Sequence, residues 1–498
     1  YTISQLPPGT YNVSARYQGF KVTTVKGIVL QVNLASRVDI TLVPGVVHQT
    51  VTVLSRGPVI NTESAMVGQL INENTILEMP LNGRNFMQLT TLTGGINEGD
   101  SSSIGKDSIM DKGYAPAAAG LDAMDNNYQL NGVSNTDQFF HTYNYAPPLD
   151  SIQEFNIQIG QYSAQFGAGG GAVINVVTKS GTNQFHGSAY EFLRNTSLDS
   201  RNFFATGTPP LDWNQFGVSI GGPIKRDKAF FFLNYEGFRE LTGVTYTDYV
   251  PSTAERAGDL EALGGTIKNP ATGQPFADNT IPTSLISPIS SGLLKYYPLP
   301  NVTPTATINY VNSPKEKNFY DNYLGRFDYV LSQKNSLMAS YGWQKNDIYT
   351  PGAFPLVGGA RQPQGFQNGV LGLTSDISPM LVNVARFGYD RTVNETTSQN
   401  SGNPIAANLG MTFGSTLPFY ADFPESIGLS STLISGTGHA QVPWFLHLDT
   451  YEWYDGVTWM HNNHSIQAGV DIMRNQADQQ YGTHSNGDYS FSGQYTGN

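Results

Sequence analysis

From about residue 184 onward, apolar and polar side chains alternate with a period of two, the signature of strands with one apolar and one wet face. Asn322 to Val330 and Leu337 to Lys345 flank a short polar turn, Ser332-Gln333-Lys334-Asn335. One face of this hairpin gathers Tyr323, Phe327 and Tyr329 with Leu337, Ala339, Tyr341 and Trp343. The other carries Asn322, Arg326, Asp328, Ser340 and Gln344. A second hairpin spans Leu371 to Ile377 and Val382 to Arg391, turning at Ser378-Pro379. A third joins Leu446–Trp459 to Ser465–Met473, with Ile466, Ala468, Val470 and Ile472 on one side. Between hairpins run long connections, 243–318 and 393–444, rich in Pro, Gly, Ser and Thr.

The first 180 residues have a different rhythm. Tyr11, Val13, Ala15 and Tyr17 alternate after the Pro7-Pro8-Gly9 turn, and Val38, Ile40 and Leu42 repeat the pattern before Pro44-Gly45. Residues 1–46 thus read as a piece of a β-sandwich. Residues 47–57 form an extended linker with polar flanks. In 58–180, "NENTILEMPLNGRNFMQLTTL" sets a capping Asn72 or Asn74 before Ile76, Leu77, Leu89 and Leu92 at helix-like spacing. A Gly/Ser/Asp-rich stretch, 94–120, reads as a mobile loop. "YQLNGVSN" and "IQEFNIQIG" read as short strands, making a compact α+β unit. The remainder, 181–498, is the strand-rich region.

One stretch invites a nucleotide reading: Gly167, Gly169, Gly170 and Gly171 fall within "SAQFGAGGGAVINVVTKSG". A phosphate cradle sits between a strand and a helix, whose N-terminal N–H groups face the anion. These glycines lead instead into the β-branched run Ala172 to Thr178, so they signal close backbone packing.

Composition narrows the class. Charged residues make up 13%, aromatics 12%, and 53 residues are glycine, a profile that suits an all-β protein. A net charge of −12 argues against nonspecific nucleic-acid binding. Without cysteine there are neither disulfides nor thiolate ligands. No apolar run reaches the roughly 18 residues of a spanning helix, but transmembrane barrels hide their apolar surface in alternation. Short turns at one end and long loops at the other are the layout of an outer-membrane barrel. A soluble sandwich or propeller, whose strands also alternate, is the alternative. The chain opens inside a strand, without a signal peptide, and reads as a fragment.

Several stretches resemble the TonB-dependent outer-membrane receptors, in particular the Oar-like group with an N-terminal carboxypeptidase-regulatory-like domain. "SQLPPGTYNVSARYQGF" resembles the end of that domain, and "VTVLSRGPVINTESAMVGQLINENTILEMPLNGRNFMQL" the start of the plug. "LNGVSN", "SIQEFNIQIGQYSAQFGAGGGAVINVVTKSGTNQFHGSAYEFLRN" and "NQFGVSIGGPIKRDKAFFFLNYEGFR" are similar to the later plug and first barrel strands. "VPSTAERAGDL" and "YYPLPN" also look typical of the group. The resemblance implies a mainly β fold: a transmembrane antiparallel barrel of about 22 strands filled by an α+β plug. Roughly nine or ten strands fit after residue 183, at about ten residues per crossing. The barrel should therefore be incomplete here, its sheet open, and the natural protein should continue past Asn498.

The same resemblance implies energised uptake at the bacterial outer membrane, without cofactor, metal or catalysis. Its partners would be membrane lipid, the periplasmic TonB protein and a large substrate such as a peptide, oligosaccharide or metal chelate. The Oar-like group also admits an adhesion or protein-export role. TonB would grip an extended box by β-augmentation. Gln49, Thr50, Val51, Thr52 and Val53 are the candidate box, although the family's box commonly begins with an acid and His48-Gln49 does not; a connecting strand is the alternative. The plug motif would comprise Pro80, Leu81, Asn82, Gly83, Arg84, Asn85, Gly132 and Glu154, with Gly167, Gly169, Gly170 and Gly171 pressing the plug backbone against the barrel wall. A plug that must be displaced calls for wet contacts with the wall. Arg84 and Glu154 are candidates for charged contacts there, or else ordinary surface charges. Specificity should reside in 243–318, 393–444 and the 94–145 apex.

Two weaker constellations remain. Asp122, Asp125, Asn126 and Asn127 offer oxygen ligands for calcium but miss the EF-hand spacing, which leaves an ordinary polar turn. His461 and His464 sit in a hairpin turn with no third metal ligand nearby. No nucleophile–base pair at useful spacing supports catalysis.

Overall fold

The computed structural model describes residues 9–30, 38–45, 50–54, 67–98, 116–160, 162–167, 169–200, 208, 210–305, 307–412, 416, 422–424, 426–429, 443–461, 464–482 and 486–491. At the N-terminus, β1 (Gly9–Ala15) pairs antiparallel with β2 (Val22–Leu30), and β3 (Thr50–Leu54) lies parallel to β2 at the sheet edge. Tyr11, Val13 and Ala15 alternate in burial as expected. Val38–Leu42 also alternates; among the described residues it joins no regular ladder, and the stretch after it meets β2's approach through the Phe20–Pro44 bridge and a bond from Lys21 N–H to Val43 O at 2.9 Å.

The inner unit contains β4 (Val67–Asn72), helix α1 (Glu73–Glu78), the short pair β5 (Ile96–Glu98) and β6 (Pro116–Ala118), then β7 (Asn127–Leu130), β8 (Val133–Ser134), β9 (Ile152–Ile159) and β10 (Ala172–Thr178). Its mixed sheet runs β4-β9-β10-β7-β8, with β10 antiparallel to β9 and parallel to β7. Asn72 caps α1 by accepting from Thr75 N–H at 3.0 Å. The helix stops at Met79, extended ahead of Pro80, as a residue before proline must be. Gly83 and Arg84 then turn through positive φ, so the helix-like spacing of 76–92 resolves into α1 and two 3-10 turns. The core packs Ile76, Phe86, Met87 and Leu89 against Phe155, Ile157 and Ile174. Of the predicted loop at 94–120, residues 99–115 lie outside the described residues.

The remaining elements are β11 (His186–Asn195), β12 (Leu211–Lys225), β13 (Ala229–Gly243), β14 (Tyr246–Asp248), β15 (Tyr310–Asn312), β16 (Lys315–Val330), β17 (Asn335–Thr350), β18 (Ala360–Ser378), β19 (Leu381–Ser398), β20 (Ser426–Leu429), β21 (Trp444–His461), β22 (His464–Tyr481) and β23 (Asp488–Phe491). Nine of them form one antiparallel sheet, β11-β12-β13-β16-β17-β18-β19-β21-β22, open at both edges. Tight turns at 226–228, 331–334 and 379–380 mark one end, and the long connections mark the other. The burial pattern matches the sequence reading. Tyr323, Tyr341 and Trp343 are 43%, 50% and 40% exposed on the outward face, whereas Asn322 and Gln344 are buried on the inward face. The β18 strand has 19 residues and extends about 60 Å along its own axis, about twice the length of a ten-residue barrel crossing.

The long connection at 243–318 is not a bare loop. With parts of 351–359 and 399–424 it builds a second core from Val250, Tyr297, Tyr310, Phe354, Ile405 and Phe423. Apolar side chains spread through those loops have enough partners to bury one another, and a folded body results.

Candidate functional site

A single small unit touches the inward face of most wall strands, so the sheet must curve around it. Ser188 of β11 donates to Asp150 at 3.1 Å. Tyr145 OH donates to Asn322 of β16 at 2.7 Å, and Asn131 donates to Ser340 of β17 at 3.0 Å. On β18 and β19, Asn368 donates to Ser134 O at 3.2 Å and Thr392 to Asn144 at 2.7 Å. The Ser134 N–H donates to Glu452 of β21 at 2.6 Å. Asp137 joins this network by accepting from Thr392 at 3.0 Å and from the N–H groups of Phe139 and Phe140. Burial raises its carboxyl above the ordinary range, against those donors and nearby His141. The seam is mainly polar, as expected, but Phe232, Leu324 and Phe366 extend the inner unit's apolar core into the wall.

Arg84 is the charged centre of the seam. It ion-pairs with Asp150, and its Nε lies 3.9 Å from Glu236 on β13. Glu236 also accepts from Tyr190 at 2.6 Å and Tyr320 at 2.9 Å. The guanidinium lies over the Tyr190 and Phe192 rings, 4.4 and 4.6 Å from their centroids. Pro80, Leu81, Asn82, Gly83 and Asn85 form the turn that projects it: Asn82 and Gln88 exchange hydrogen bonds, and Asn85 caps the next turn through Met87 N–H. Of the two charges singled out, Arg84 reaches the wall. Glu154 is buried within the inner sheet, opposite Asn72 and Val177. Arg84→Ala is expected to leave two buried carboxylates facing each other, costing inner-unit docking about 3 kcal/mol. Native hydrogen exchange across 80–92 at wild-type rates would contradict this.

The glycine run requires a correction. Cβ atoms at Gly169 and Gly171 would meet Asp125 O at 2.5 Å and Asn126 Oδ1 at 2.6 Å, so these glycines press on the inner unit's own turn, not on the wall. At Gly170 the neighbour is Leu121, and Gly167 has open space. Two other glycines approach the wall. A Cβ at Gly132, which sits at φ +84°, would lie 2.8 Å from the Arg386 guanidinium, and one at Gly181 would lie 2.3 Å from Phe231 O. Beside Gly181, Arg326 donates to Thr178 O at 2.7 Å and Ser180 to Asp328 at 2.6 Å. These bonds fasten the passage from the inner unit into β11.

Above the seam, toward the long-loop end, the inner unit and wall enclose a cleft of about 310 Å³. Trp213, Phe238 and Tyr320 supply aromatic faces, and Asn82, Gln88, Asn318, Gln344 and Asn346 supply amides. Asparagine and glutamine at inward positions of β16–β19 carried a usable signal, polar residues on the non-lipid face. Tyr145 and Glu236 carried none, because their partners lie far away in sequence.

Thr50–Val53 lie in β3, hydrogen-bonded as an edge strand to β2; Gln49 lies outside the described residues. The Asp122–Asn127 segment is a polar turn. Asp122 caps Met124 N–H at 3.0 Å, Asn126 bonds Pro116 O and Ala172 N–H, and Asn127 bonds Gly167 O. His461 and His464 stand opposite each other where β21 meets β22.

Residues 177–498 match the sequence model of a family described as outer membrane beta barrel domain. The TonB-dependent transporter Oar of Myxococcus xanthus is 27% identical over 285 residues, covering 54% of this chain and 25% of that protein. The outer membrane transporter YddB from Escherichia coli matches with TM-score 0.54 at 11% identity, over 82% of this chain and 48% of that one. The siderophore receptor PirA from Acinetobacter baumannii gives 0.49 at 12% identity, over 82% and 48%. The chain spans about a quarter of its curated relative and half of the solved structures, and at these identities the structural likeness concerns the fold alone.

Proposed function

The chain belongs to the outer membrane β-barrel domain family, and from that membership we propose that it serves a TonB-dependent transporter of a large substrate. Its place is the bacterial outer membrane, among barrels and not enzymes. In this reading 181–498 walls the lumen, 58–180 is the plug, 47–57 is a linker carrying the box, and 1–46 is the partial regulatory-like sandwich.

The observation that carries the reading is the wet seam. A folded unit fastened to β11, β16, β17, β18, β19 and β21 by hydrogen bonds and to β13 by an ion pair can be moved with little apolar surface stripped beyond the patch at Phe232, Leu324 and Phe366. Each such bond is worth about 0.5–1.5 kcal/mol net, because water replaces it when it breaks. Bonds yielded one after another suit a unit drawn aside by a pull from the periplasm. The pull needs a handle, and Thr50–Val53 at a sheet edge offers backbone groups for strand addition.

Purified full-length protein in detergent is expected to bind the periplasmic C-terminal domain of TonB, and deletion of 49–53 is expected to abolish that binding. Undiminished binding after deletion would refute the box. No binding by the intact protein would refute TonB dependence and favour an adhesion or export role.

A further inference from the structure

We propose that Arg386 and Glu452 of the wall are positioning residues with two alternative contacts. They grip the inner unit's β7–β8 hairpin while it is docked, and they pair with each other once it has left. This deepens the transporter reading above, in which the inner unit moves, and rests on it.

The hairpin is a narrow wedge. Asn131 and Gly132, at φ +52° and +84°, form its two-residue turn, an Asn-Gly pair suited to the tightest hairpin geometry. The turn is braced from behind, where Asn131 accepts from Thr178 N–H at 3.0 Å. Val133, fully buried, fills the hollow over Gly388 of β19. A Cβ at Gly388 would lie 3.0 Å from Val133 Cβ and 3.3 Å from Glu452 Cβ.

Opposite charges flank that hollow. Arg386 donates to Gly132 O at 3.3 Å, its guanidinium 5.2 Å from the centroid of the Tyr454 ring. Glu452 accepts from Ser134 N–H at 2.6 Å. Each wall charge thus holds a neutral backbone group of the hairpin, and among the described residues neither makes an ion pair. Yet the ladder makes them neighbours. Arg386 stands opposite Tyr454 and Gly388 opposite Glu452, so Arg386 and Glu452 are diagonal on one face. Diagonal positions lie about 7–8 Å apart, a span that two long side chains close. The other acids are worse placed. Asp471 stands opposite Tyr454 on β22, on the far side of that ring from Arg386. Asp390 lies four residues along β19, roughly 13 Å away.

Withdrawing the hairpin breaks both backbone bonds and empties the hollow. The freed guanidinium and carboxylate then take each other, a pairing stronger than either bond to a neutral amide. The pair recovers part of what the broken bonds cost, and it must reopen before the wedge returns. Arg386 and Glu452 therefore set how easily the slot opens as well as how firmly it holds.

The test is native hydrogen exchange across 131–135 in the full-length protein in detergent. It compares wild type, Arg386→Gln, Glu452→Gln and the double variant. If the two charges act only on the docked hairpin, their accelerations multiply. If they pair in the open state, each single variant loses that pair along with its docked bond, whereas the double variant loses the pair once. Exchange in the double variant should then exceed the product of the single accelerations by about fivefold. Acceleration equal to that product or below it would overturn the proposal. Heat-modifiable gel mobility checks that the variants are folded. Where one is not, salt decides on the wild type. Raising NaCl from about 0.05 M to about 1 M screens a water-exposed pair more than buried bonds, so exchange across 131–135 should slow about twofold. Unchanged or faster exchange would overturn it. Binding of the TonB domain is read in parallel. Intact binding with multiplicative exchange sinks the pair alone, whereas no binding by the wild type sinks the transporter reading.

Discussion

Gly342→Val is expected to lift the Tyr145 loop off the wall and to weaken docking of the inner unit by about 3 kcal/mol. A Cβ at Gly342 would lie 2.3 Å from Tyr145 Cε1 and 2.4 Å from Cζ, inside the ring's van der Waals envelope. The ring cannot step aside cheaply. Tyr145 is fully buried, and its backbone is held by Asn135, which accepts from Tyr145 N–H at 3.0 Å and donates to Tyr145 O at 2.8 Å. The preceding residue, Asn144, donates to Asp390 at 2.5 Å and accepts from Thr392. Displacing the ring therefore strains two bonds to a further strand, β19. Hydrogen exchange across 128–145 should accelerate by about 100-fold, the rate equivalent of that loss under rapid opening and closing. The control is Gly325→Ala on β16, whose Cβ would meet Leu233 at an ordinary 3.5 Å and should change little. Protection equal to wild type in Gly342→Val would contradict the seam as described.

The second large effect is expected at Arg256, in the long connection. Its guanidinium donates to Pro251 O at 2.9 Å, Leu294 O at 2.6 Å, Tyr297 O at 3.1 Å and Pro298 O. A capping box precedes it, with Ser252 N–H donating to Glu255 at 2.6 Å. "VPSTAERAGDL" and "YYPLPN" are thus two halves of one joint: the first presents the fork, the second the carbonyls. Tyr297 then packs on Phe354, 5.2 Å between centroids, in the loop core. Arg256→Ala leaves carbonyls on both halves without donors and should cost the loop body about 3 kcal/mol. Arg256→Lys should not restore it, because one ammonium cannot reach carbonyls spread around a planar fork. The readout is proteinase K cleavage between 250 and 300 in the folded protein. A wild-type digestion pattern would sink the prediction.

The sequence by itself determined the strands and their faces. Period-two alternation is local, and burying one face fixes its meaning; so the 322–345 hairpin, with Tyr323 and Trp343 outward and Asn322 and Gln344 inward, was legible without coordinates. Turn chemistry was legible in part: a cap at Asn72 or Asn74 is filled by Asn72, and the Gly167–Gly171 run leads into a strand, whereas helix-like spacing continued past Pro80, where the helix in fact stops. The glycines' neighbours were not legible. Gly169 and Gly171 yield to Asp125 and Asn126, whereas the wall is met by Gly132 and Gly181. Nor was the fate of the two charges, Arg84 at the wall beside Glu236 and Glu154 inside its own sheet. Among these contacts, Gly132 with Arg386 and Arg84 with Glu236 join inner unit to wall across more than a hundred positions. Their partners are brought together only when the sheet curves around the inner unit, and that curvature is a property of the assembled packing, carried by no single segment.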